Sequence, residues 1–288
     1  MDWIRWLGAQ VESRSFDFPP GSETDFNDSL GAAWFVSPTH HAIELVSLAP
    51  LLVALAAFSG WRLFHPTTKA YQLLADTTTP VPPQSWLERI LLLTMIASFS
   101  ITAIHKVLTG TLLFLLQPCH ASAVLLIVVM CWPARVYPFI PRLLFNVYLY
   151  TLWGAVLALV FPDLRDHDMF GEIFNFFLEH TLVLVLPLYL ILTRRYVILP
   201  ASFSMALFSF FVYAAYHSPV LHVISLASGY NINYVLVPPA LSFLIAAGVF
   251  YRYVMYLTAF LMMFLARYGI VETFCRCVFA LRKGAKAA

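Results

Sequence analysis

The stretch TLLFLLQPCHASAVLLIVVMCW, residues 111–132, decides how the rest of the chain is read. It contains no Asp, Glu, Lys or Arg, and as a helix it is long enough to cross the ~30 Å hydrocarbon core of a bilayer. Working outward, comparable apolar runs predict further spans at about 42–64, 88–109, 142–161, 171–193, 200–224 and 238–266. Composition points the same way: 61% of the 288 residues are apolar and 11% charged, against about 25% charged in an ordinary soluble domain. With a mean hydropathy of +0.79, these values exclude a soluble globular protein, a disordered chain and a fibre. The expected fold is all-α and polytopic, a seven-transmembrane-helix bundle over 42–266. It is flanked by an N-terminal segment, 1–41, and a basic tail, 267–288.

The net charge of +2 is unevenly distributed. Arg5, Arg14 and Arg165 fall on the N-terminal side of the seven-helix arrangement. Arg62, Lys69, Arg89, Arg135, Arg142, Arg194, Arg195, Arg267, Arg276, Arg282, Lys283 and Lys286 fall on the other, and Lys106 and Arg252 lie inside the membrane. The bias puts the C-terminus in the cytosol and the N-terminus in the lumen, as for an integral protein of the endoplasmic reticulum or Golgi. Glu12, Asp17, Glu23, Asp25 and Asp28 stud the first 40 residues, which hold no signal-peptide core, so the first membrane helix serves as its own insertion signal. Asn27-Asp28-Ser29 is a glycosylation sequon on the lumenal side. Cys275 and Cys277, among basic residues on the cytosolic side, are candidates for S-palmitoylation. Nothing forms a nucleic-acid footprint, a Gly-rich phosphate loop or a metal-ligand spacing, and four cysteines are too few for a disulfide framework. No cofactor, metal or protein partner is expected.

Polar side chains inside the membrane carry the functional signal, because hydrocarbon makes each costly unless it is paired or used. Counted down their helices, Cys119 lies ~12 Å and His180 ~14 Å below the lumenal boundary. Lys106 and His217 come near the lumenal ends of their spans, and Asn231 and Asn233 sit in the connection before the last helix. Six polar groups are therefore expected to converge on the lumenal half. Cys119 reads either as an inert small hydrophobe beside a proline kink or as a nucleophile. If Pro118 opens a half-helix, the thiol sits at the positive end. His120 is a ready base by identity, but adjacent helical side chains point about 100° apart. His180 therefore comes first as partner and His217 second, each equally readable as a helix–helix hydrogen bond. Glu179 reads as a lipid-head or interhelix contact. Lys106 snorkels to the surface or contacts a phosphate, and Arg252, ~21 Å down the last span, snorkels or marks a cytosolic path.

Gln117-Pro118-Cys119-His120 resembles the Asn-Pro-Cys-His motif of the transmembrane protein 164 family, with a matching Lys106 and Leu115-Leu116 before it. Leu159-Val160-Phe161-Pro162, Glu179-His180 and Leu186-Pro187-Leu188-Tyr189-Leu190 are similar to that family's Leu-Phe-Pro, Gln-His and Val-Pro-Ile-Tyr-Leu segments. Tyr216-His217, Val220-Leu221 and Asn231-Ile232-Asn233 through Pro238 continue the match, which covers roughly residues 100–240. The chain departs from the pattern at Gln117, at Thr102, where the resemblance leads one to expect glutamate, and beyond Pro238, where it matches only weakly around Tyr251-Arg252. The resemblance implies an acyltransferase independent of coenzyme A. It would move a polyunsaturated acyl chain from phosphatidylcholine to a lyso ether phosphatidylethanolamine, so its partners would be membrane phospholipids and lysophospholipids. Cys119 would carry the acyl group and His180 would assist, with Lys106, His120, His217, Asn231 and Asn233 binding or supporting. Other readings are a lipid hydrolase on the same scaffold, similar to the androgen-induced membrane hydrolases, and a non-enzymatic seven-helix receptor or transporter.

Overall fold

The computed structural model describes residues 2–18, 33–79, 81–133, 136–165 and 167–287, the last seven by their backbone alone. Among them the regular structure is helical: α1 (Asp2–Arg14), α2 (Pro38–Leu63), α3 (Lys69–Ala75), α4 (Trp86–Leu108), α5 (Pro118–Cys131), α6 (Phe139–Thr151), α7 (Trp153–Val160), α8 (Glu172–Leu192), α9 (Phe203–Ala215), α10 (His222–Ser228), α11 (Ser242–Ala246), α12 (Tyr251–Phe264) and α13 (Thr273–Ala287). Within the described residues, six segments are long and apolar enough to cross a membrane. They are Pro38–Leu63, Trp86–Leu108, Phe139–Val160, Glu172–Leu192, Phe203–Ser228 and Gly248–Ala280. The chain is a helical polytopic membrane protein.

The remaining expected span, 111–132, is interrupted at its proline. A short 3₁₀ turn, Leu112–Leu116, precedes α5, which starts at Pro118 as a missing N–H and a fixed φ favour. At 14 residues α5 is ~21 Å long by helical rise, less than a bilayer core. The last span is displaced more. Pro238 and Pro239 deny a helix its backbone donors, and Gly248 adopts φ +54°, so the long helix begins ten residues later than expected. It also runs past Ala266, because Arg267 does not leave the membrane domain there. Its guanidinium is buried, donating to the Leu199 carbonyl at 2.7 Å and pairing with Glu272 at 3.3 Å. A π-helical turn, Leu265–Glu272, carries the helix on into α13.

The chain divides into two compact units, Met1–Gly60 with Leu207–Phe260, and Trp61–Ala206 with Leu261–Ala288. In the second, α4, α5, α6 and α8 pack around Met95, Leu126, Phe145, Leu149, Leu186 and Leu190, all fully buried. The Ser85 hydroxyl caps α4 by accepting the Glu88 N–H at 3.0 Å, while the Glu88 carboxylate reaches Arg195 at 3.0 Å. Arg142 grips the end of α3 and the loop after it by donating to the carbonyls of Leu73, Leu74, Asp76 and Thr79. In that loop, donors from Thr78 and Thr79 hold the Asp76 carboxyl well below the usual carboxylate range. Cys275 packs into the same core, whereas Cys277 is exposed, so of the two candidate palmitoylation sites only Cys277 presents its thiol.

The first unit contains more of the N-terminus than an acidic leader suggests. Gly8 of α1 lies against Thr39, and the Phe16 N–H donates to the Leu226 carbonyl at 2.7 Å. Gly229, at φ +78°, ends α10, and a Cβ there would fall 2.6 Å from the Phe16 ring, so only glycine fits. Asn27 lies outside the described residues.

Candidate functional site

Three helix ends meet in the second unit. The last turn of α4 carries Lys106, the first turn of α5 carries Cys119 and His120, and the first two turns of α8 carry Glu172, Asn175 and Glu179. On α8 these last three follow i, i+3, i+7 spacing, and Ser98, Thr102 and Lys106 follow i, i+4, i+8 on α4, so each set forms a stripe along one face. The two stripes face each other, and all six side chains are buried. The hydroxyl and amide donors between them find acceptors. The Ser98 hydroxyl donates to Asn175 Oδ1 at 2.9 Å, and Asn175 Nδ2 donates to Thr102 Oγ1 at 2.9 Å and to the Ser98 carbonyl at 3.0 Å. Thr102 Oγ1 in turn donates to Glu179 Oε2 at 2.7 Å. The other carboxylate oxygen, Glu179 Oε1, lies 2.7 Å from His120 Nδ1.

Lys106 does not snorkel. It is 5% exposed and pairs with Glu172 across 3.3 Å, while Glu172 Oε2 accepts the Met169 N–H at 3.2 Å. Glu179 is no lipid-head contact either, being buried between Thr102 and His120. Its neighbour His180 points elsewhere. The His180 Nδ1–H donates to the Phe176 carbonyl at 2.8 Å, and the ring lies 4.2 Å from that of Phe176. Because a carbonyl can only accept, this bond leaves the lone pair of the neutral ring on Nε2.

Cys119 is half-buried, at the second position of α5. Pro118 at the head of the helix leaves the backbone N–H groups of Cys119 and His120 facing the sulfur, and the thiol donates to Gln117 Oε1 over 3.9 Å. Glu179 and Lys106 are the charged side chains within electrostatic reach. The site thus has a half-buried thiol at its edge, the imidazole–carboxylate pair of His120 and Glu179, and a buried ammonium paired with Glu172. Groups of these kinds can hold a developing anion and exchange a proton.

His217, Asn231 and Asn233, expected beside Cys119, belong to the first unit. The six expected groups therefore divide, three to a unit. His217 sits in a π-helical turn, Tyr216–Leu221, with Nδ1 3.0 Å from the Tyr256 hydroxyl and Nε2 donating to the Asn233 carbonyl at 3.2 Å. Asn231 braces a loop, its Oδ1 accepting the N–H groups of Leu236 and Val237 and its Nδ2 donating to the Val237 carbonyl. Nearby in sequence, Arg252 is the second residue of α12 and is 2% exposed. It neither snorkels nor lies deep in its span, since that helix starts later than expected. It pairs with Glu44 at 2.5 Å and donates to the Val235 carbonyl at 2.6 Å and to His41 Nδ1 at 3.2 Å, while His41 Nδ1 lies 2.7 Å from His222 Nε2. None of Glu44, His41 and His222 stood out in the sequence, although His41 and Glu44 are spaced to share one face of α2. Among the described residues no group of three or more His, Cys, Asp or Glu side chains could hold a metal ion.

A helical membrane protein with a thiol at a broken helix and two buried polar clusters is the class that fold and site define. The TMEM164 family model matches residues 35–268, a range that holds both clusters. The chain belongs to this family. It is 30% identical over 210 residues to a protein of Dictyostelium discoideum described as a transmembrane protein 164 homolog, covering 72% of this chain and 74% of that one. No solved structure matches.

Proposed function

We propose that the protein is a phospholipid acyltransferase of the endoplasmic reticulum or Golgi membrane, in which the 3₁₀ turn at Leu112–Leu116 and α5 together complete a seventh crossing beside the six long spans, leaving the N-terminus lumenal and the C-terminus cytosolic. It moves a polyunsaturated acyl chain from phosphatidylcholine to a lyso ether phosphatidylethanolamine by way of a thioester on Cys119. One observation carries the reading: the half-buried thiol of Cys119 lies at the N-terminus of α5, next in the chain to His120, whose imidazole pairs with the buried Glu179 carboxylate. Membership of the TMEM164 family supports it.

In the first half-reaction the thiol gives its proton to the Nε2 lone pair of His180, the sulfur bonds to the ester carbonyl carbon, and the C–O bond breaks. The imidazolium returns the proton to the departing lysolipid oxygen. In the second half the acceptor's hydroxyl loses its proton to the imidazole as its oxygen takes the acyl carbon, and the C–S bond breaks to regenerate the thiol. The exposed N–H groups at the head of α5 stabilise the oxyanion that develops in both halves. Lys106, held by Glu172, supplies positive charge for a lipid phosphate. Burial of the cluster limits water, so a lysolipid hydroxyl rather than hydroxide captures the thioester.

The test is purified protein in vesicles of labelled phosphatidylcholine and lyso ether phosphatidylethanolamine, followed by lipid mass spectrometry. Label in the ethanolamine lipid without added coenzyme A supports the proposal. Label only in free fatty acid makes the protein a hydrolase.

A further inference from the structure

The reaction as written leaves Glu179 without a task, although it is the hub of the cluster. Ser98, Asn175 and Thr102 form a one-way series of donors that ends on Glu179 Oε2. That oxygen is engaged, so the carboxylate turns its other oxygen to His120, 2.7 Å away. An ionised carboxylate only accepts, which puts the proton of neutral His120 on Nδ1 and the lone pair on Nε2. Fixing an imidazole in this way selects one tautomer, one ring orientation and a stabilised imidazolium, the service a buried carboxylate performs in hydrolase triads. His120 follows Cys119 directly in the first turn of α5.

We infer that Glu179 is a positioning residue that holds His120 with Nε2 as its proton-accepting atom, so that His120 shares with His180 the proton released by Cys119. This inference rests on the reading of Cys119 as the nucleophile. The step is balanced: the S–H bond breaks, the proton moves to an imidazole Nε2, and the imidazolium gives it to the leaving lysolipid oxygen. The ionisable groups that act on the two imidazoles are each other, Glu179 from α8 and His167 from the loop before α8, while Lys106 and Glu179 act on the thiol. Glutamine at 179 would match the carboxylate in shape and fail in chemistry. With its oxygen kept by Thr102, its NH₂ would face His120 Nδ1, which must then accept, and the imidazole proton moves to Nε2.

The experiment uses the full chain in vesicles, with Cys131, Cys275 and Cys277 replaced by serine, and measures how fast a small neutral maleimide labels Cys119. Glu179→Gln should slow labelling about 10-fold or more, the scale of losing one charge-assisted hydrogen bond. His120→Ala should slow it as much, and the double variant no further than either single one. Because Thr102 and Glu179 touch, Thr102→Glu added to Glu179→Gln returns a carboxylate to His120 from the facing helix and should restore most of the rate. Unchanged labelling in folded Glu179→Gln, additive losses, or no restoration would each overturn the inference. Should Glu179→Gln fail to fold, the Thr102→Glu, Glu179→Gln pair decides alone: labelling near the parent rate supports the inference, and labelling at the His120→Ala rate overturns it. Labelling needs no lipid. A Glu179-dependent rate in a protein without acyl transfer would remove the transferase reading and keep this one, and the reverse result would do the opposite.

Discussion

In the first unit, His41, Glu44, His222 and Arg252 make a buried cluster, joined through Glu44 to the part-exposed His40 at 3.2 Å. In the second, His120, Glu172, Glu179 and Lys106 use the same kinds of side chain, yet they border a half-buried thiol at the head of a helix. Both have a carboxylate paired with a cation and histidines within hydrogen-bond distance of a charged group. Buried charge alone therefore does not mark a reactive centre, since removing one partner of such a pair is costly wherever it lies. The second cluster differs in having an atom that can form a bond, an approach to it, and helix N–H groups aimed at it. The first has the makings of glue, holding α2 to α10 and α12 through Glu44, His41, His222 and Arg252.

If that contrast is right, substitutions in the two clusters should fail in different ways. The largest effect belongs to Cys119→Ser, which should lower acyl transfer by about 1,000-fold or more, a serine hydroxyl being a far weaker nucleophile near neutral pH. Melting and membrane insertion should match the parent, and a melting point that collapses would move the thiol from chemistry to structure. Arg252→Ala should do the opposite. It removes the guanidinium from the buried Glu44 and leaves His40 as its partner, and should cost about 3 kcal/mol of stability, read as loss of folded protein on detergent extraction. Replacing both partners, Glu44→Leu with Arg252→Met, sharpens the point, because an apolar pair of similar volume is often tolerated. A well-folded but inactive double variant would show that the first cluster does more than hold helices. Next in size, His180→Ala should reduce turnover by about 100-fold, the usual scale for losing an acid–base group, with stability nearly unchanged. The smallest effect is expected from Cys131→Ser, at the exposed far end of α5, which should be silent in both assays.

How much of this could be read from the chain differs from element to element. Hydrophobicity is local and additive, so long apolar runs reveal membrane helices directly, and the start of α5 follows from Pro118 itself. The last helix departs from the apolar count because proline and glycine at 238, 239 and 248 outweigh it, and because Arg267 is buried rather than exposed. Glu179 was legible only as a position on a stripe with Glu172 and Asn175. Its partners lie 59 and 77 residues away in sequence, on α5 and α4, and the packing of those helices is a tertiary event with no local signature. Snorkelling fails for Lys106 and Arg252 for the same reason: it is what a lone cation does, and both have carboxylates on helices distant in sequence. The exchange is also informative where the family resemblance breaks. The expected glutamate is missing at 102 and a glutamate stands at 179 in place of glutamine, and these two positions are in contact at 2.7 Å.

The claim on which the rest depends is that Cys119 carries the acyl group between lipids. It is tested by incubating the full-length protein with phosphatidylcholine labelled in its acyl chain and no acceptor, then digesting it and analysing the peptides by mass spectrometry. The account predicts an acyl adduct on the peptide containing Cys119 that hydroxylamine removes and that added lysophosphatidylethanolamine discharges into labelled phosphatidylethanolamine. An adduct found only on Cys277, or transfer that proceeds at the parent rate in Cys119→Ser, would contradict it.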